Sequence, residues 1–441
     1  MKKIYMLGLA ASLCLPLAAQ TPRNGYFSEN LPMRHNLNPA FAPEYDYVAI
    51  PAIGGISAGM NSNVGADNFL FKKNGEVVTG LHSSVGNDEF LSGLKSRNYM
   101  EVNSGVSVVS LGFKALGGFN TIGINVKSAS SVTLPYELFE FAKIGQVNGA
   151  PTSYNIKDTR VQSSNYLELA FGHSRNLGEK FRVGAKVKYI AGVAYADARI
   201  DAIDVAMSAD KWSVREQGEM FTTDAIDIQY KPNGEIDDIS KGSFGVAGNG
   251  LGFDFGASYK LLDNLVLSAS LTDVGFVAWK GSNASVNPDE FVYDGFHHLV
   301  AEKNPDGSSA LSREGDQLEE DLRKLVRFQN ETGASRTQSL QTMLNLAGEY
   351  SILNDKIGFG LLWSTRLGTL RKWTEVMASA NFRPVNLGHS LGALINFCPK
   401  GFNFFFGSDY IPFKYSKEGI PLSTAKFNVV LGMAITFNHG K

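Results

Sequence analysis

Cysteine is almost missing from this 441-residue chain, which has only Cys14 and Cys398. Cys14 lies in a stretch read below as a cleaved leader, which leaves Cys398 alone and excludes a disulfide-stapled scaffold. Long apolar runs are missing too. Beyond the first 20 residues nothing reaches the roughly 18 consecutive apolar residues of a membrane-spanning helix, which excludes an α-helical membrane protein. There is no basic excess: 41 Lys and Arg against 43 Asp and Glu give a formal net charge of -2. That is no electrostatic footprint for nucleic acid. Proline is modest at 15, whereas glycine reaches 46 and phenylalanine 29. High glycine with few prolines suits long strands joined by tight turns.

Catalytic signals are also scarce. No Gly-x-Ser-x-Gly elbow, His-Glu-x-x-His helix or phosphate-cradling glycine loop is expected. His297-His298 is the only adjacent pair among seven histidines, and neighbours on a strand point to opposite faces and chelate poorly. Cys398, before Pro399, reads as a small apolar residue. No enzyme activity, cofactor or metal is expected.

What is present begins with a leader. Lys2 and Lys3 precede the apolar run Ile4 to Leu17, and Leu17-Ala18-Ala19 offers small residues before Gln20. Residues 1–19 therefore read as a secretory signal peptide cleaved after Ala19. The mature chain would carry 39 basic and 43 acidic side chains, a net charge of -4.

The dominant pattern beyond the leader is period-two alternation in segments of about ten residues, the signature of transmembrane barrel strands. Phe181, Val183, Ala185, Val187 and Tyr189 share one face, and Arg182, Gly184, Lys186 and Lys188 the other. Leu251, Phe253, Phe255 and Tyr259 oppose Asp254 and Lys260; Phe359, Leu361 and Trp363 oppose Ser364 and Arg366. Turns are expected at Asn176, Asp263 and Asn354. The fold class is all-β: a transmembrane antiparallel barrel of about 14 strands over residues 45–441, with lipid outside and a polar lumen. A soluble periplasmic β protein is the alternative. Residues 20–44 lack periodicity and form a candidate plug-like segment. Residues 283–338 are charged and contain a predicted helix near Leu318 to Val326; they read as an extramembrane insertion. Counting strands back from Phe437 places the tightest turns opposite the C-terminus. That implies either an uncounted strand near Tyr410 to Ser423 or a periplasmic insertion.

The last strand reads VVLGMAITF. Its Gly432, Ile435 and Phe437 resemble the C-terminal targeting signal of outer-membrane barrels, although four residues follow. The segment HNLNPAFAP, His35 to Pro43, carries an Asn-Pro-Ala tripeptide ahead of the first strand. It resembles the FadL-like long-chain fatty-acid transporters and the PorV and PorP/SprF barrels associated with type IX secretion in Bacteroidota. With FDFGASYKLLDNLVLSASLTDVGFVAW and a late FGSDYIP, the chain resembles most closely the uncharacterised DUF5723 barrel family. The resemblance implies an outer-membrane location, insertion by the barrel assembly machinery and contact with outer-membrane lipid. It also implies a plug anchored by Asn38, Pro39 and Ala40, for which an ordinary turn is the alternative.

Two functions compete. One is passage or binding of a hydrophobic or amphipathic ligand; the other is a non-transporting partner or anchor barrel for type IX secretion or surface-complex proteins. The inward polar set expected to line the lumen is Glu168, Arg182, Lys186, Lys188, Asp254, Lys260, Glu349, Arg366, Glu375 and Arg383. Structural filling by paired charges is its plainer reading. Tyr189, Tyr195, Tyr259, Trp279, Trp363 and Trp373 are expected in an interfacial aromatic girdle.

Overall fold

The computed structural model describes residues 23–51, 54–232, 236–286, 291–293, 328–367, 372–383, 394–409 and 426–438. The leader, the helix expected near Leu318, and Tyr410 to Pro412 of the late motif lie outside them.

Strands β1 (Asp46–Ala49) and β2 (Ile56–Ser62) precede a small hairpin, β3 (Leu70–Lys73) with β4 (Glu76–Thr79), and helix α1 (Asn87–Leu91). Then come β5 (Arg97–Ala115), β6 (Gly118–Pro135), helix α2 (Tyr136–Ile144), β7 (Thr152–Leu177), β8 (Phe181–Met207) and β9 (Trp212–Thr222). The hairpin β10 (Ile226–Tyr230) with β11 (Ile236–Lys241) leads to β12 (Gly248–Leu262), β13 (Leu265–Val286) and β14 (Phe291–Tyr293). The chain continues through β15 (Phe328–Ser339), β16 (Met343–Ile352), β17 (Ile357–Arg366), β18 (Trp373–Phe382), β19 (Leu394–Phe397), β20 (Phe402–Gly407) and β21 (Lys426–Phe437).

Among the described residues, 17 strands form one antiparallel sheet. They occupy 13 wall positions, because β1 with β2, β9 with β12, β13 with β14 and β15 with β16 each share one. The last strand closes on the first: Asp46 faces Phe437 and Ala49 faces Ala434. Direction alternates at every described junction except from β18 to β19, which run the same way across residues 384–393, outside the described set.

The wall is inside out by soluble standards. Phe359 and Leu361 are 49% and 57% exposed on the outer face of β17, while Ser364 and Arg366 on its inner face are 1% and 2% exposed. Only a solvent less polar than water favours that arrangement.

The connections Leu116–Gly117, Gly178–Lys180, Asp263–Asn264 and Leu353–Lys356 gather at one end with Asp46 and Phe437. This corrects the orientation expected from counting: tight turns and C-terminus share a side. The region near Tyr410 to Ser423, where an uncounted strand was the alternative, lies outside the described residues.

The long excursions leave from the other end. There β7 and β8, at 26 and 27 residues, far exceed the 9–11 that span a membrane. Their surplus carries a cap with its own apolar cores. Val85, Phe90, Leu91 and Leu94 pack beneath α2, and Tyr154, Ile156, Val205 and Met207 pack beside it. The ladder also enters both ends of the expected insertion. Ser285 pairs with Gln329 and Gly281 with Ala334. Beyond the hydrocarbon a strand needs no apolar face, so its sequence carried no alternation.

Two bulges redirect the aromatic girdle. The β12–β13 register shifts at Asp254, where Asp273 adopts a left-handed φ of 55°, and the β7–β8 register shifts at Asn165. One extra residue flips every later side chain to the opposite face. Tyr195 and Trp279 therefore point inward and stack at 5.1 Å between ring centroids. Both are buried, with Phe221 and Ile190 around them. Trp373 faces inward too, under Arg23, whereas Tyr189 and Tyr259 remain exposed outside. Trp279→Ala is expected to destabilise the barrel by roughly 3–5 kcal/mol, as for a buried core aromatic, in urea unfolding from lipid. A change below about 1 kcal/mol would return Trp279 to the surface.

Candidate functional site

Residues 23–45 lie inside the wall. Two 3-10 turns, Arg23–Phe27 and Pro32–Asn36, make the segment compact. Its side chains fill three gaps. Tyr26, Phe27 and Phe41 pack with Leu362; Leu31 and Met33 with Phe405 and Val430; Tyr45 with Tyr47, Phe119 and Cys398.

The Asn-Pro-Ala tripeptide is its best-held part. Asn38 Nδ2 lies 3.0 Å from the Tyr26 hydroxyl and 3.3 and 3.2 Å from the carbonyls of Ala257 and Ala269. Its Oδ1 accepts the Ala40 N–H at 2.9 Å. Pro39 has no N–H to satisfy, which suits a buried turn. Beneath them Gly184 of β8 and Gly256 of β12 are paired across the ladder. A Cβ would lie 2.1 Å from Pro39 O at Gly184 and 2.0 Å from Asn38 Oδ1 at Gly256. Two facing glycines thus make a seat that no side chain could share.

Lys186 ties the wall to this segment. Its Nζ lies 2.6 Å from His35 Nδ1 and 2.7 Å from Asn36 Oδ1. A donor at Nδ1 leaves the proton on His35 Nε2, which donates to the Tyr47 hydroxyl at 2.6 Å. Tyr47 continues to Ser110 at 3.1 Å. Burial, with Lys186 and Lys188 nearby, holds His35 well below its ordinary 6.5.

Above the segment sits a paired charge cluster. Lys188 lies 2.6 Å from both Asp254 and Asp273, and Lys127 is 2.7 Å from Glu168. Asn125 also donates to Glu168, at 3.0 Å. Of the other expected lumen residues, Arg366 is buried against Glu101 at 2.6 Å, from strands on opposite sides of the wall. Arg383 pairs with Glu349 and donates to Phe27 O at 3.2 Å, and Glu375 pairs with Arg23. Arg182 is half-buried and donates to Ser174. Lys260 lies exposed at the turn end, 3.2 Å from Asp263. Gly432 faces inward against the Phe405 ring, and Ile435 and Phe437 point outward.

Alternation alone missed Asp273, which a strict period-two count points outward. It also missed Lys127, Glu101, and Gly55-Ile56-Ser57-Ala58-Gly59, which has the spacing of a nucleophile elbow. Ser57 lies within strand β2, not at a strand-to-helix turn. No histidine lines the cavity it faces.

That cavity, of about 160 Å³, lies between the segment and the charge cluster. Met33, Leu37 and Val430 make one wall; Asn125, Lys127, Glu168 and Asp273 make the other. It reaches the break between β1 and β2, where Gly55 O accepts from Ser107 at 2.8 Å opposite a bulge in β5.

A family model described as a family of unknown function, DUF5723, matches residues 39–409. No curated protein matches by sequence. Solved structures with similarity include the Pseudomonas putida toluene transporter TodX, at 9% identity and a TM-score of 0.33, covering 95% of each chain. The Ralstonia pickettii toluene transporter TbuX gives 8% and 0.31, covering 96% of this chain and 97% of that one. The translocator domain of the Neisseria meningitidis autotransporter NalP gives 9% and 0.32, covering 89% and 88%. Likeness this distant carries no functional weight.

Gly256→Val is expected to unseat the segment and speed trypsin cleavage at the half-buried Arg34 by about tenfold or more, the effect of some 1.4 kcal/mol; unchanged cleavage would refute the glycine seat. A depressed histidine favours the folded state above its unfolded value near 6.5, and that contribution is lost as pH falls below it. Wild type should therefore lose more thermal stability between pH 7.5 and 5.5 than His35→Gln, and parallel curves would exclude His35 as the cause.

Proposed function

The chain belongs to the DUF5723 family, and we propose that it acts in the outer membrane as a plugged barrel that binds amphipathic molecules in its lumen. Residues 1–19 direct its export and are removed. The carrying observation is the two-faced cavity closed on the turn side by residues 23–45. One wall suits an acyl or aromatic body and the other a polar head. A purely hydrophobic passenger would strip water from Lys127, Glu168 and Asp273 without replacing it. At about 160 Å³ the cavity is smaller than the roughly 300 Å³ of ordinary ligand pockets. Loading therefore couples to movement of the plug.

A partner-anchoring barrel is the second reading, including a role with type IX secretion or surface proteins. It is favoured by the cap, whose apolar cores and long strands exceed what a membrane span needs.

Native mass spectrometry of the chain extracted in mild detergent separates the two. A lipid-sized adduct that disappears in the cavity-filling Ser57→Trp, with heat-modifiable migration retained, is the expected result. An empty wild-type lumen with a stoichiometric protein bound to the cap would replace transport by docking.

A further inference from the structure

Most inward cations of the lumen are matched by a carboxylate; Lys186 instead bonds His35 and Asn36. Lys127, Lys188, Arg160, Arg336, Arg366 and Arg383 each have a carboxylate partner. The turn-end mouth is different. There a separate cavity of about 760 Å³ opens beneath Ala42 to Glu44, between the Ala115–Gly118 turn and the Ser174–Asn176 end of β7. Lys114, Arg175 and Arg182 line it, and none of the three has an ion pair among the described residues. Lys114 donates to the backbone carbonyl of Glu44, and Arg182 Nη2 donates to Ser174 at 3.1 Å. Arg182 Nε is buried with no acceptor. Glu44 is the one carboxylate among the lining residues, and it is exposed. With Arg175 on the outward-facing rim, opposite Val183, the inward pair Lys114 and Arg182 against Glu44 keeps one positive charge in excess.

We propose that this mouth is a binding site for an oxyanion, the carboxylate or phosphate group of a small anion or of a lipid headgroup. It is separate from the amphipath cavity and does not depend on it. Two lacks coincide here: an orphaned guanidinium N–H, which burial makes costly, and cations without counter-charge. A planar guanidinium presents a fork of donors matched to carboxylate or phosphate oxygens. Lys114, across the same cavity, supplies a second, mobile donor. No neutral occupant would satisfy both lacks. The mouth lies at the end of the membrane-spanning strands, within reach of both dissolved anions and the adjoining leaflet.

The test uses the full chain in zwitterionic detergent with two probes. Inorganic phosphate is titrated calorimetrically, and short-chain phosphatidylglycerol is compared with phosphatidylcholine by native mass spectrometry. The proposal expects at least one anionic probe to bind, with Lys114→Gln/Arg182→Gln weakening it by about tenfold or more, the effect of losing a charge-assisted hydrogen bond. Lys260→Gln, at the same end but already paired with Asp263, should leave binding unchanged. Phosphate binding identifies a soluble source, and phosphatidylglycerol binding without phosphate identifies the headgroup. Failure of both probes, full binding by the double variant, or an equal loss in Lys260→Gln would overturn the site. Because the amphipath adduct is read separately, its absence would not bear on this result.

Discussion

Backbone amides in hydrocarbon have no water to bond, and the structure follows from that constraint. Every ladder must find a neighbour, so the last strand returns to the first at Asp46 and Phe437. Closure sends the apolar face outward, where Phe359 and Leu361 meet lipid. It also encloses a polar face that still has to be satisfied. The lumen is the place where that demand is met. Asp273 and Asp254 flank Lys188, and Arg366 reaches Glu101 from the opposite wall. The N-terminal segment supplies the remaining partners, such as Asn36 for Lys186 and the Phe27 carbonyl for Arg383.

Much of this was legible as chemistry before it was legible as geometry. Wherever a strand runs through hydrocarbon without irregularity, one face must be apolar, and Leu251, Phe253 and Phe255 declare it. The alternation puts Lys186, Lys188 and Asp254 on one face with the residues that the structure buries. It fails at irregularities that no local signal marks. Asp273 takes a left-handed conformation in the middle of a strand, and from there Trp279 changes sides. The upper parts of β7, β8, β13 and β15 stand in water, where neither face must be apolar, so the pattern fades although the strands continue.

The lumenal segment was harder to read because its partners are distant. Asn38 meets Ala257 and Ala269, more than two hundred residues away. The glycines beneath it, Gly184 and Gly256, look like ordinary strand glycines. Only their pairing across β8 and β12 shows that the missing side chains make space for another piece of backbone. An Asn-Pro-Ala tripeptide is a local turn by itself; the seat makes it an anchor.

The seam between β1 and β21 has a consequence for how the molecule comes to be. Tyr45 is buried in the lumen, and the very next residue, Asp46, is the first rung of the ladder that closes the wall. The segment and the seam share a joint. A barrel that zipped shut with residues 23–45 outside would have to thread them back through a turn-end mouth already ringed by closed ladder. Seating therefore precedes or accompanies the final rungs. The path of folding, and not only its end point, decides whether the lumen is sealed.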